Sequence, residues 1–358
     1  MVSQWTWKHG QQPENDYVFS YDGVGRLVAA KHFVDGARTD GYTERGIRYD
    51  ANGNLLAISR TAGGAVSDSL RFTLGGDVLL DVSGTSTGVF EYDPSGNLVK
   101  DGLNRLEFSY NCLNLMQTVQ TTVGASKAQF TYGSDGRKLS EKARTGGFEY
   151  MGSLIYAYRG GTLSLAQAVT DEGTIQSAGV NYFIRDHLGS VRAVVDHTGK
   201  IVERNDYYPF GGRHENSALS LSATNRYKFG GKESLEPVSL DMLDFGARFY
   251  DPRIARWNTQ DPLAEKYFSL SPYNYCAGNP ITLVDPTGMV MDDYRLKKNG
   301  EIELMKKTND NYDVIYAENE KGEIDLFNTI SIDRGILSNK ITGTITPHGK
   351  EYSYDAYG

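Results

Sequence analysis

The chain has 358 residues, is rich in Gly (40) and Tyr (24), and carries a formal net charge of −8, which excludes the basic face a duplex-binding surface needs. No run approaches the roughly 18 apolar residues of a membrane span. The two cysteines, Cys112 and Cys276, lack CxxC or Cys/His ligand spacing, so no metal site is indicated, and no cofactor motif is seen.

Gly supplies positive-φ turn positions, and Tyr and Phe suit half-buried pleated surfaces. The composition therefore predicts an all-β chain of short strands and tight turns. The mean hydropathy of −0.46 predicts a core that is thin and spread along the chain. The cysteines read as isolated, buried thiols, with a single disulfide as the alternative. The first residues, MVSQWTWKHGQQPEN, contain no apolar h-region. If the protein leaves the cell, the expectation is a non-Sec route or export as part of a longer chain.

In chain order, repetition comes first. Tyr21-Asp22-Gly23-Val24-Gly25-Arg26-Leu27 recurs as Tyr49-Asp50-Ala51-Asn52-Gly53-Asn54-Leu55 and as Tyr92-Asp93-Pro94-Ser95-Gly96-Asn97-Leu98. A looser copy starts at Tyr132. A decayed one starts at Tyr110, with Asn114 replacing the Gly, since Asn is the next best residue for a left-handed position. In each unit Tyr ends a strand with its ring on the packed face. Asp then initiates a turn by accepting backbone amides two residues on. Gly takes positive φ, and Leu opens the return strand. The spacing runs from 18 residues (Tyr92 to Tyr110) to 43 (Tyr49 to Tyr92). That predicts a meandering ribbon of unequal hairpins rather than identical blades.

These copies resemble the YD repeats of bacterial Rhs proteins, TcC toxin subunits and animal teneurins. Residues 181–288 further resemble the Rhs-associated core, through Tyr182-Phe183-Ile184-Arg185-Asp186-His187-Leu188-Gly189, Tyr207-Tyr208-Pro209-Phe210-Gly211, Tyr227-Lys228-Phe229-Gly230-Gly231-Lys232-Glu233, Phe245-Gly246-Ala247-Arg248-Phe249-Tyr250-Asp251-Pro252, Arg256-Trp257-Asn258-Thr259-Gln260-Asp261-Pro262 and Asp285-Pro286-Thr287-Gly288. The resemblance implies a hairpin ribbon forming part of a hollow β-shell, with the core as its plug. It also implies three segments: YD repeats over 1–150, core and plug over 151–289, and a variable extension over 290–358. Its implied partners are the chain's own C-terminal effector segment, an immunity protein and a secretion apparatus. Surface glycans belong to an alternative reading as an adhesion or carbohydrate-binding protein.

The resemblance also implies an intramolecular aspartyl protease. Asp261 and Asp285 are its candidate carboxylate pair, Asp251 is a third, and Arg256 or Arg248 would orient a carboxylate or polarise the scissile carbonyl. Cleavage would fall between Met289 and Val290. Met289 departs from the family's usual Leu but is a fair volume match. The competing reading, Asp-Pro dipeptides as turn initiators, stays open beside it. Asp186, His187 and Ser190 lie too close in sequence for a hydrolase triad, whose members come from different segments; they read as a strand-turn-strand.

The extension predicts a mostly β region: one hairpin about Asn299-Gly300, a second from Tyr312 to Phe327, and a further strand or short helix over 328–346. It carries no zinc deaminase set and no other toxin signature. An unread effector enzyme in this segment is a third reading.

Overall fold

The computed structural model describes residues 2–144, 146–215, 225–266 and 268–289, and beyond them six short strands. Val2–Val284 forms one compact unit and Asp285–Gly358 a second.

Among the described residues, the first unit is built on a sheet of 21 strands, from Gln4–Trp7 to Ile201–Arg204. Apart from the two-residue strand Ala37–Arg38, each strand pairs antiparallel with its neighbours in sequence. The sheet continues across residue 150, where Tyr150 pairs with Ile155. Such a meander follows from local turn chemistry. Asp22 Oδ1 accepts the amides of Val24 (3.1 Å) and Arg26 (2.9 Å), and Gly25 sits at φ 88°. Asp93 does the same with Ser95 and Asn97, both at 2.9 Å. The decayed copy keeps the geometry: Asn111 Oδ1 accepts from Leu113 and Leu115, and Asn114 takes φ 58°.

The repeat's Tyr stitches one hairpin to the one before. Tyr49 Oη donates to the Leu27 carbonyl (2.8 Å), Tyr110 to Leu98 (2.8 Å) and Tyr132 to Met116 (2.7 Å). The ladder shifts register beside Tyr21, Tyr49, Tyr110 and Tyr132, a bulge that adds local twist and helps the ribbon curl.

The curl wraps a plug made by the described residues of 205–284. This holds short 3-10 turns and a four-stranded meander of Glu233–Ser234, Leu243–Asp244, Phe249–Asp251 and Arg256–Trp257. The core is therefore neither thin nor scattered, as hydropathy had suggested. Phe19, Leu27, Ile58, Leu79, Phe90, Phe108 and Phe130 of the sheet share one cluster with Phe229, Phe245, Tyr250, Trp257 and Ile281 of the plug. An average over the chain misses this, because only alternate strand residues contribute to the packed face.

The plug also clasps the repeat turns. Asn279 Nδ2 donates to the Gly25 carbonyl (3.0 Å), Asn274 Nδ2 to that of Gly53, and Tyr273 Oη to that of Gly96 (2.7 Å). Side chains also bridge the ribbon's first strand to its penultimate one. The Arg192 guanidinium lies 5.1 Å from the rings of both Trp5 and Trp7.

Neither cysteine forms a disulfide. Cys112 is exposed at a turn tip rather than buried, because the Tyr110 turn projects its middle residues.

In the second unit Asp292–Leu296 pairs antiparallel with Ile302–Lys306, and Tyr312–Glu318 with Ile324–Asp333. Both predicted hairpins are thus present as strand pairs, while the Asn299-Gly300 turn lies outside the described residues. A parallel pairing of Asp292–Leu296 with Tyr312–Glu318 joins them, and Thr342–Ile345 pairs with Tyr352–Asp355.

Candidate functional site

One of the plug's Asp-Pro segments, Asp261-Pro262, meets a buried arginine. Arg248 leads into the strand Phe249–Asp251, and its guanidinium stacks 4.2 Å from the Trp257 ring on the adjacent strand. Trp257 is fixed in turn by an Nε1–H bond to the Asn274 carbonyl (3.1 Å) and by the rings of Phe245, Tyr250 and Tyr275. So held, Arg248 donates from Nη2 to Asp261 Oδ2 (2.8 Å) and from Nη1 to the Pro272 carbonyl (3.1 Å). The arginine side chain is 2% exposed and the aspartate 13%. Asp261 Oδ1 also accepts the Leu263 amide (2.8 Å). The turn-initiating geometry of an Asp-Pro pair and a charge-paired carboxylate therefore coexist in one residue.

Asp285 belongs to the second unit. Its Oδ1 accepts the amides of Thr287 (3.2 Å), Gly288 (2.7 Å) and Met289 (3.1 Å), and Gly288 turns at φ 74°. The Thr287 hydroxyl donates to the Met289 carbonyl at 3.3 Å. The carboxylate thus gathers the turn that presents Met289. Val290 lies outside the described residues.

Asp251 and Arg256 sit elsewhere in the plug. Asp251 is buried, and its Oδ1 accepts the amides of Arg253 (2.8 Å) and Ile254 (3.4 Å). Burial, followed by the negative charge of nearby Asp101, pushes its carboxyl up to about 7. Asp101 is itself buried and raised, chiefly by desolvation, and is held by Asn104 through its amide (3.0 Å) and side chain (2.7 Å). Sequence reasoning missed this partner. Its only signal was an Asp101-Gly102 turn dipeptide, which gives no hint of a carboxylate 150 residues away. Arg256 donates to Asn54 Oδ1 (3.1 Å) and to the Asp77 carbonyl, with its guanidinium 4.5 Å from the Tyr273 ring. It ties the plug to a repeat turn, and of the two arginines it is Arg248 that contacts Asp261.

The Asp186–Ser190 segment is a strand-turn-strand. Asp186 Oδ1 accepts the amides of Leu188 (3.0 Å) and Ser190 (2.9 Å), Ser190 Oγ accepts the Gly230 amide (2.9 Å), and His187 Nε2 donates to the Ile281 carbonyl (3.0 Å).

Comparison with known proteins gives the family and the fold. A family model described as Teneurin YD-shell matches residues 1–281. Double-stranded DNA deaminase toxin A of Burkholderia cenocepacia (strain H111) is 26% identical over 314 residues, covering 76% of this chain and 20% of that protein. Toxin subunit YenC1 of Yersinia entomophaga is 31% identical over 112 residues, covering 31% of this chain and 11% of that protein. A crystal structure of TcdB2-TccC3-Cdc42 superposes with a TM-score of 0.51 at 17% identity, over 77% of this chain and 17% of that one. The chain thus spans a fifth or less of the length of these proteins.

Proposed function

The chain belongs to the teneurin YD-shell family, and from that membership we propose that it is the shell-and-plug segment of an Rhs-type toxin. In this reading it encloses and delivers a C-terminal effector and releases it by one intramolecular aspartyl cleavage after Met289. The observation that carries the reading is the Arg248–Asp261 pair, an almost fully buried guanidinium presenting one carboxylate in the plug. The Asp285 turn about Thr287–Met289 supports it.

The chemistry assigned is peptide hydrolysis by two carboxyls in opposite protonation states. Asp261, paired with Arg248, takes the negative charge and accepts a proton from water. The water oxygen adds to the Met289 carbonyl carbon, whose oxygen the Thr287 hydroxyl already contacts. Asp285 delivers a proton to the departing Val290 nitrogen as the C–N bond breaks, leaving a Met289 carboxylate and a new amine. In this reading Asp251 and Arg256 support the plug and take no part in the chemistry. An immunity protein and a secretion apparatus follow as partners from the same reading. The adhesion alternative draws on exposed Tyr158 and Tyr182 of the sheet.

Intact-mass spectrometry of freshly purified protein tests the proposal, near neutral pH because Asp-Pro bonds break in acid. Wild type is expected to split after Met289, releasing the last 69 of the 358 residues (358 − 289). Asp261→Asn, Asp285→Asn and Arg248→Met are expected to stay whole. Full-length wild type, or a splitting Asp261→Asn, overturns the aspartyl reading. Saturable glycan binding by an uncleaved chain would favour the adhesion alternative.

A further inference from the structure

Four of the chain's six histidines, His9, His32, His187 and His214, gather where the first strands of the ribbon meet its far end. His187 lies edge-on to Trp5 at 5.1 Å. His9 Nε2 is 3.0 Å from Asp206 Oδ1, which also accepts from Arg192 Nη2 at 2.5 Å. Deeper in, His214 stacks on Tyr42 at 4.1 Å, and His32 meets His214 edge-on at 6.2 Å.

Both inner rings are buried, with 3% (His32) and 2% (His214) of their surface exposed. The hydrogen bonds make Nε2 a donor on both rings. The Tyr17 hydroxyl donates to the Tyr42 carbonyl (2.6 Å), so the His214 Nε2 that lies 2.9 Å from it must be the donor. His32 Nε2 donates to Asn15 Oδ1 (3.1 Å), since the Asn15 amide is spent on the Pro13 carbonyl, and Nδ1 faces Thr39 Oγ1 (2.9 Å). A second proton on either ring would place a cation among aromatic walls. The charges facing the pair are Asp206, Asp16 and Asp40 on one side and Arg192 on the other; the walls are Tyr17, Tyr42, Tyr208 and Trp7.

We propose that this seam is an acid-labile latch, in which proton uptake by His214 and His32 releases the ribbon's first strands from the 205–214 segment. Burial is the largest influence on each imidazole and sets it below its ordinary value; Asp206 opposes this at both, Asp16 and Asp40 also at His32, without reversing it. An opened seam restores the ordinary imidazole, so it binds protons that the closed one refuses. Closure is then complete above about pH 6.5 and weakens as pH falls below it. Asp206, beside the pair, stays ionised there. Burial disfavours the Asp206 charge, but the His9 hydrogen bond and the Arg192 charge lower its carboxyl to about 2.

Hydrogen exchange read by mass spectrometry on the full chain, corrected for intrinsic rates, tests the latch between pH 7.5 and 5. Peptides covering 2–9 and 205–214 are expected to exchange faster, by about tenfold per pH unit below 6.5 for one coupled proton and up to about a hundredfold for two. The Leu106–Tyr110 strand should not respond. His32→Gln/His214→Gln is expected to abolish the response. A flat wild-type profile across this range overturns the latch even if that variant fails to fold, as does an unchanged response in a folded variant. Self-cleavage plays no part in either readout.

Discussion

Replacing Asp251 by Asn should stabilise this protein at alkaline pH. The carboxyl is buried, its neighbour Asp101 is another buried acid, and its pKa stands near 7 against an ordinary 3.8. Each pKa unit corresponds to about 1.36 kcal/mol, so the ionised group weakens the fold by roughly 4 kcal/mol, an order-of-magnitude figure. The sign follows from proton binding. Between about pH 4 and 7 the folded chain keeps a proton that the unfolded chain has lost, so this group's contribution to stability falls as pH rises through that window. Asn retains an oxygen for the Arg253 and Ile254 amides, which now bond Oδ1, and cannot ionise. Urea unfolding followed by tryptophan fluorescence, from pH 4.5 to 8.5 in wild type and Asp251→Asn, is the assay. The difference between the two isolates Asp251 from the other titrating groups, including the buried histidines, whose effect has the opposite sign. It should favour the variant increasingly up to about pH 7 and level off beyond. A constant difference, or one favouring wild type throughout, would refute the assignment of a shared-charge pair to Asp101 and Asp251.

Two glycines of the repeat should behave differently on replacement by Ala. Gly96 sits at φ 78°, and an added Cβ would fall 2.2 Å from Gln260 Nε2; the left-handed backbone alone predicts a loss of about 1–2 kcal/mol. Gly23, with open space around it and no positive φ, should change stability by less than about 0.5 kcal/mol, so equal melting shifts would contradict the turn analysis. The ribbon is also bolted to the plug by Arg60, which pairs with buried Glu44 (2.6 Å) and donates to the Arg253 and Pro252 carbonyls (2.6 and 2.9 Å). Arg60→Met leaves that carboxylate uncompensated and should cost about 3–5 kcal/mol in denaturant unfolding. Glu44→Leu/Arg60→Met should cost less than the single change, and additivity would count against a buried ion pair.

Much of the fold was legible in the residues because it is written at short range. An Asp or Asn that accepts the amide four residues on, a Gly or Asn at positive φ, and a Tyr at the strand's end are all contained in seven positions, so the YD turns at Tyr21, Tyr49, Tyr92 and Tyr110 are legible in the sequence. The same turn recurs without its Tyr at Asp186–Ser190, legible in the sequence as a strand-turn-strand, and at Asp196–Lys200, which the Asp-x-x-Gly spacing alone would have found. Family blocks likewise pointed to Asp261 and to the turn carrying Asp285.

The charged partners in the interior were decided by tertiary structure. Asp101 faces Asp251, Arg60 reaches Arg253, and Arg256 goes to Asn54, across separations of roughly 150 to 200 residues. Arg248 and Arg256 look equivalent as sequence, and only the plug's packing gives the first to Asp261 and the second to a repeat turn. The histidine seam likewise depends on how far the ribbon curls before its ends meet. A hairpin's turn is set by residues four apart, whereas curvature accumulates over 21 strands from small twists and bulges, and is fixed only when the plug's side chains fill the face that curvature creates.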